Sequence, residues 1–181
     1  MWPYHSHVNE PKDVHSGLVG CLIICAKGKM RKDGRPVDVD REIINLFNIF
    51  NENMSWYLDE NIQRAEDPAG VNVDDEEFYE SNLKHTISGR IYTNLEGMTM
   101  KKGERVRWYT MGMGSEADLH MPHWHGNTLL LNERRTDVGA IFPATTQVFD
   151  MVPDNAGMWM YHCHVNDHIE AGMMGTYTVT P

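Results

Sequence analysis

Two short segments of the chain carry side chains that bind soft transition metals, and in both the spacing sorts those side chains onto two faces. The first, Tyr161 to Met173, reads YHCHVNDHIEAGM. Successive side chains on a strand point to opposite faces, so Cys163 faces one way and His162 and His164 the other. Cys163, with His168 and Met173 downstream, offers a thiolate, an imidazole and a thioether. These are the donors of mononuclear blue-copper sites with a long axial methionine. The second segment, His120-Met121-Pro122-His123-Trp124-His125-Gly126, repeats the logic. His123 and His125 share one parity; His120 has the other and can turn toward Cys163. The spacing therefore predicts one site on His120, Cys163, His168 and Met173, and a separate cluster drawing on His123, His125, His162 and His164. Zinc uses the same ligand types in closed tetrahedral sets and is the competing metal.

The elements that must hold these groups are partly revealed by an internal repeat. Tyr4-His5-Ser6-His7-Val8-Asn9-Glu10, followed by Gly17 to Gly20, matches Tyr161-His162-Cys163-His164-Val165-Asn166-Asp167, followed by Gly172 to Gly175. The offset is the length of a domain and not of a solenoid repeat. Ser6 stands where the second copy has Cys163, and Leu18 stands near the place of the axial methionine. The first copy thus keeps the cluster-facing pair His5 and His7 without the mononuclear site. Residues 1–30 read as the terminal strands of one domain and 31–181 as a complete second one, with the polar, turn-rich stretch KGKMRKDGRPVD at the boundary.

Within the second domain, strand-like runs cover Glu42–Phe50, Thr86–Tyr92, Arg105–Met111, Thr128–Leu131, Thr146–Met151, Met158–His162 and Gly175–Val179. Turn signals separate them in the pattern of an antiparallel sandwich. The acidic stretch Glu52 to Leu83 reads as a long loop or short helices, with a helical turn or two in WYLDENIQRAE.

The 181 residues carry a formal net charge of −10, which argues against a nucleic-acid partner and is compatible with a small cationic substrate. The apolar run LVGCLIIC is too short to span a bilayer. The start, MWPYHSHVNEP, lacks the basic and apolar regions of a signal peptide and opens directly on a dense motif, as though a segment upstream were missing. Three cysteines make no disulfide framework. Cys21 and Cys25, four apart in an extended run, would lie about 13 Å from each other, beyond bridging distance. Each reads as a structural thiol or as a bridge to an upstream segment. His15 reads as a surface residue.

With these motifs in hand, the sequence resembles the multicopper oxidases, and among them the ceruloplasmin and hephaestin group with its smaller two-domain bacterial and archaeal relatives. NENMSWYLDENI, EEFYESN, GMGSEADLH and HCHVNDHIEAGM carry the likeness over almost the whole chain. The resemblance implies an all-β fold of cupredoxin-like Greek-key sandwiches. It also implies type 1 copper on His120, Cys163, His168 and Met173, a type 2 ligand at His123, and type 3 ligands at His5, His7, His125, His162 and His164. Electrons would pass from Cys163 to His162 and His164, with O2 reduced to water.

The family's cluster uses four His-x-His pairs, and this chain has three. The fourth, in a His-x-His-Gly motif, would come from an N-terminal portion that is a separate chain or has been removed. Completion across a subunit contact, in a homotrimeric or other closed ring, is therefore expected, with copper at about four ions per complete unit. The likeness also implies a ferrous site beside the type 1 copper on Glu80, His85 and Asp167, with Glu116 donated by a neighbouring unit; hard carboxylates suit iron. The reductant is then Fe(II), with a laccase-like oxidation of small phenols, amines or Cu(I) as the competing reading. A copper nitrite reductase shares the sandwich but needs fewer cluster histidines, and a non-catalytic relative would keep the scaffold for copper binding or protein contacts. The location implied is secreted or periplasmic.

Overall fold

Strict alternation of inward and outward side chains decides most of this fold. In the computed structural model, which describes all 181 residues, the chain opens with β1 (Trp2–His5), helix α1 (Glu10–His15) and β2 (Val19–Leu22). Then come β3 (Arg41–Asn51), the short helices α2 (Leu58–Gln63) and α3 (Glu76–Ser81), β4 (Leu83–Ile87), β5 (Thr99–Lys101) and β6 (Val106–Gly112). The rest comprises β7 (Pro122–Trp124), β8 (Leu129–Leu131), β9 (Arg134–Thr136), β10 (Thr146–Met151), β11 (Gly157–Cys163), helix α4 (Asn166–Glu170) and β12 (Met174–Thr180).

From β3 onward the strands form a six-stranded sheet, ordered β4-β3-β6-β10-β8-β9, and a four-stranded sheet, ordered β5-β12-β11-β7. Along β12, Gly175, Tyr177 and Val179 are buried and their neighbours only partly so, the period-two pattern of a strand with one face on a core. Between the sheets lie Phe47, Trp108, Trp124, Phe149, Tyr161 and Tyr177, each at most 1% exposed. Trp108 packs against Trp124 with ring centroids 5.5 Å apart and an interplanar angle of 77°, the edge-to-face arrangement favoured by the ring quadrupole.

The all-β sandwich expected from the sequence is present, with two differences. It is not wholly antiparallel: β3 pairs parallel with β6, and β5 parallel with β12, because each pair is joined by a long excursion and not by a hairpin. The strand expected over Thr86–Tyr92 starts earlier and ends at Ile87. Ser88 and Gly89 turn the chain there with φ of 52° and 75°, in the left-handed region that closes a strand. The acidic stretch does hold short helices. In α3, Asp75 caps the first turn by accepting from the N–H groups of Glu77 and Phe78.

The β1–β2 hairpin forms a sheet of its own and is fastened to the sandwich by polar contacts from α1. Asp13 accepts from Trp56 Nε1 at 2.7 Å, and Ser16 Oγ accepts from the N–H of Trp56 at 2.9 Å. His15, expected at the surface, is half-buried, and its Nδ1 accepts from the N–H of Asn51 at 3.1 Å. Its role is to satisfy the end of β3. Cys21 and Cys25 are both free thiols; the β2 ladder ends at Leu22, between them.

Trp124 links this core to the candidate ligands His123 and His125. Fully buried against Trp108, Phe149 and Tyr161, it turns the histidines on either side of it outward. Trp124→Ala is expected to cost about 3–5 kcal/mol of stability, read as a lower urea midpoint. An unchanged midpoint would show that the ring does not anchor β7.

Candidate metal centre

The two predicted groups form on opposite sides of β11. Its last residues pair with β7 in the register Tyr161↔Trp124, His162↔His123 and Cys163↔Pro122. Tyr161 and Cys163 point into the core at 0% exposure, while His162 lies on the other face beside His123.

On the core side, the ligand atoms of His120, Cys163 and His168 all lie within 4.8 Å of one another. His120 is held by reciprocal backbone hydrogen bonds with Ile141, at 3.0 and 2.9 Å. His168 comes from α4 and is 6% exposed. The two Nδ1 atoms are 3.2 Å apart and stand 4.0 Å (His120) and 3.6 Å (His168) from Cys163 Sγ. Met173 is fully buried, and its carbonyl accepts from the N–H of Cys163 at 3.0 Å. The sulfur also accepts a hydrogen bond from the N–H of Met121 at 3.3 Å.

On the other side, His162 Nε2 lies 3.2 Å from His123 Nδ1 and 3.0 Å from His125 Nε2. The His164 ring stands with its centroid 5.1 Å from that of His123. These four histidines therefore form one group.

Hydrogen bonding assigns the free lone pairs. His162 Nδ1 sits 2.7 Å from the carbonyl of Cys163, which can only accept, so the ring proton is on Nδ1 and Nε2 presents a lone pair to the group. His120 Nε2 likewise contacts the Asp118 carboxylate at 3.1 Å, which leaves Nδ1 bare toward Cys163 and His168. Bare nitrogens facing each other at these distances fit a cation between them. Thiol and imidazole together suit a soft transition metal such as copper better than a hard one.

Burial sets the protonation states. It lowers His162 and His123 below the ordinary histidine range and takes His168, with help from the neighbouring His120 and His85, from 6.5 to about 4. Burial also pushes the Cys163 thiol up. At neutral pH the imidazoles are therefore ready to donate, while the thiol surrenders a proton only to an incoming metal.

The remaining sequence-predicted residues divide. His85 lies beside the core-side group, its ring centroid 5.2 Å from that of His168. The charge of Glu80 reaches His85, and that of Asp167 reaches His168. Glu116 is exposed in the loop before Asp118 and makes no ion pair with them. His5 and His7 face each other at 5.8 Å at the end of β1, and no ring contact joins them to the four-histidine group. Between them, Ser6 Oγ donates to Asp13 at 2.5 Å, and the Ser6 bond is the main reason Asp13 sits below the usual carboxylate range.

Sequence reasoning missed Asp13 and Asp118. Both are acidic residues near a metal-binding motif, but nothing in their spacing distinguishes them from solvated carboxylates.

Three comparisons bear on this geometry. A family model described as multicopper oxidase matches residues 45–181. Hephaestin of Homo sapiens is 48% identical over 98% of the chain, and ferroxidase HEPHL1 of Homo sapiens is 46% identical over 98%. The chain spans only 16% of the length of either. The crystal structure of a multicopper oxidase superposes with a TM-score of 0.68 at 20% identity, covering 98% of this chain and 55% of that one, which is a likeness of fold.

The histidine shifts make the copper-free protein sensitive to acid. A histidine whose folded pKa is depressed binds protons more readily when unfolded, so its contribution is complete above 6.5 and is lost as the pH falls toward about 4 for His168. Urea midpoints of the copper-free protein should fall steadily across that window. Equal midpoints at both ends would contradict the buried, neutral assignment.

Proposed function

Because the chain belongs to the multicopper oxidase family, we propose that it is the electron-entry half of an oxidase that oxidises Fe(II) and reduces O2 to water. The observation that carries this reading is the separation of ligand groups across one strand: His120, Cys163 and His168 on one face of β11, and His123, His125 and His162 on the other. In this reading His120, Cys163, His168 and Met173 hold type 1 copper. His123 contributes to type 2 copper, and His125, His162 and His164, with His5 and His7, to the type 3 pair. Copper bound in these places would accept electrons one at a time from a reductant and deliver four of them to O2.

The chain's own residues divide the remaining tasks. The peptide link from Cys163 to His162 and His164 joins the two groups covalently, and the contact of His162 Nδ1 with the Cys163 carbonyl adds a shorter route. Glu80, His85 and Asp167 would receive iron next to His168. Carboxylates favour the ferric product by charge and so make Fe(II) easier to oxidise. The name of the relative ferroxidase HEPHL1 favours iron over a phenol.

The cluster needs histidines from beyond this chain. The lack of any ring contact between His5 or His7 and the other four supports an assembly in which each cluster is shared between neighbouring units, as a closed head-to-tail ring would arrange. The exposed apolar side chains of the hairpin, among them Trp2 at 64% and Leu18 at 56%, would be covered by that contact or by a preceding domain carrying the His-x-His-Gly pair. A location outside the cytoplasm goes with this reading.

The assembled, copper-loaded protein should show intense blue absorption and consume O2 with Fe(II). Cys163→Ser should abolish both, and a blue protein that consumes no O2 with any donor would leave only copper binding. Glu80→Ala with His85→Ala should slow Fe(II) oxidation about tenfold or more, a rise of about 1.4 kcal/mol or more in the barrier from the loss of two iron-binding side chains, while a bulky phenol is oxidised as before. Parallel loss on both substrates, or no loss on either, would contradict the iron assignment.

A further inference from the structure

Asp118 is a carboxylate buried where burial is costly. It is 1% exposed, and groups of its kind are almost never fully buried without partners. Its position follows from the sheet. The β3–β6 ladder runs from Arg41↔Val106 to Phe47↔Gly112 and ends there. Beyond that point β6 no longer covers β3, and Asp118 Oδ1 accepts from the N–H of Ile49 at 2.7 Å in its place. Oδ2 accepts from the N–H of Ser115 at 2.8 Å. Those two bonds account for a polar acceptor at this position, but an amide or hydroxyl oxygen can also accept from a backbone N–H.

The third contact requires more explanation. Oδ1 also lies 3.1 Å from His120 Nε2, and His120 Nδ1 is the atom turned toward Cys163 and His168. The carboxylate therefore has three N–H groups aimed at it, from Ile49, Ser115 and His120, and the last of them ties it to the candidate ligand set. The backbone is adapted to admit it. Gly114 has φ +108°, and a Cβ there would collide with the Asp118 carboxylate.

We propose that Asp118 is a positioning residue for the type 1 copper, fixing the tautomer and orientation of His120 and holding the metal's reduction potential down with a buried negative charge one imidazole ring away. The proposal rests on the copper assignment above and extends it. A carboxylate that accepts the outer N–H of a metal-bound histidine makes that ring a stronger donor, and a carboxylate charge held in a buried site near the metal favours Cu(II) over Cu(I). Both effects act in the same direction. The position also connects the copper to the face where a reductant arrives: Ile49, whose N–H shares Oδ1 with His120, is paired in register with His85.

The test is redox titration of the blue absorption in the assembled holoprotein, comparing wild type with Asp118→Asn. The expected result is a potential higher by about 59 mV or more, equal to an about tenfold loss in the preference for Cu(II) over Cu(I) in a one-electron couple, with a shifted visible or EPR signature. Thermal melting of the copper-free forms separately records the loss of one of the Ile49 and Ser115 bonds, since the amide keeps a single acceptor oxygen, a loss that a purely structural role would also show. A blue variant with an unmoved potential and spectrum overturns this proposal and leaves the copper assignment standing; a wild-type protein that is never blue defeats both.

Should Asp118→Asn fail to fold, the wild-type protein in its Cu(I) state still decides. The His120 Nε2 proton should appear in the NMR spectrum as a strongly hydrogen-bonded signal exchanging slowly with solvent. Rapid exchange, as at an exposed histidine, overturns the proposal.

Discussion

Everything at the candidate centre depends on the alternation of side chains along β11. A strand cannot place neighbouring residues on the same face without a bulge, so Cys163 and His162 are forced apart even though they are covalent neighbours. Pairing with β7 in the register His162↔His123 brings a second alternating segment against the first, and the two faces become two ligand groups. A one-residue slip of this register would exchange the faces and destroy both at once. The aromatic core prevents the slip: Trp124 and Tyr161 are paired across the ladder and fully buried, and each flanks a histidine.

Burial and metal chemistry then support each other. The core-side group is built of desolvated donors, with burial holding His168 down and the Cys163 thiol up, which makes it a good host for a soft cation. The opposite group is more open. His123 and His125 line a cleft with Gly126, Asn127, Asp137 and Trp159, as expected of a site that small molecules must reach. The cost of assembling bare imidazoles falls on the metal-free protein, and the Asp118 carboxylate is the chain's own counterweight on the core side.

What was legible in the sequence follows from the same periodicity. The parities of His120, Cys163 and the paired histidines translated directly into faces, because strand alternation is a local rule that tertiary structure seldom breaks. Long runs such as Thr146–Met151 were readable for the same reason. Of the four three-residue strands, β8 falls within the apolar run Thr128–Leu131, while β5, β7 and β9 lie outside every strand-like run and exist because a neighbouring strand holds them. The end of β4 was hidden because apolar residues continue past the turn at Ser88 and Gly89. Asp118 and His15 were not legible at all. Each serves a backbone N–H left unpaired where another strand stops, and a sequence does not announce where a ladder ends.

The two faces of β11 must hold separate copper centres if the chain works as an electron-entry half. Anomalous diffraction at the copper edge from crystals of the assembled holoprotein addresses this directly. The predicted result is one isolated copper bounded by His120, Cys163, His168 and Met173, and a distinct group of coppers among His123, His125, His162 and His164. A single metal position shared by Cys163 and His162, or copper on the core-side face alone, would contradict it.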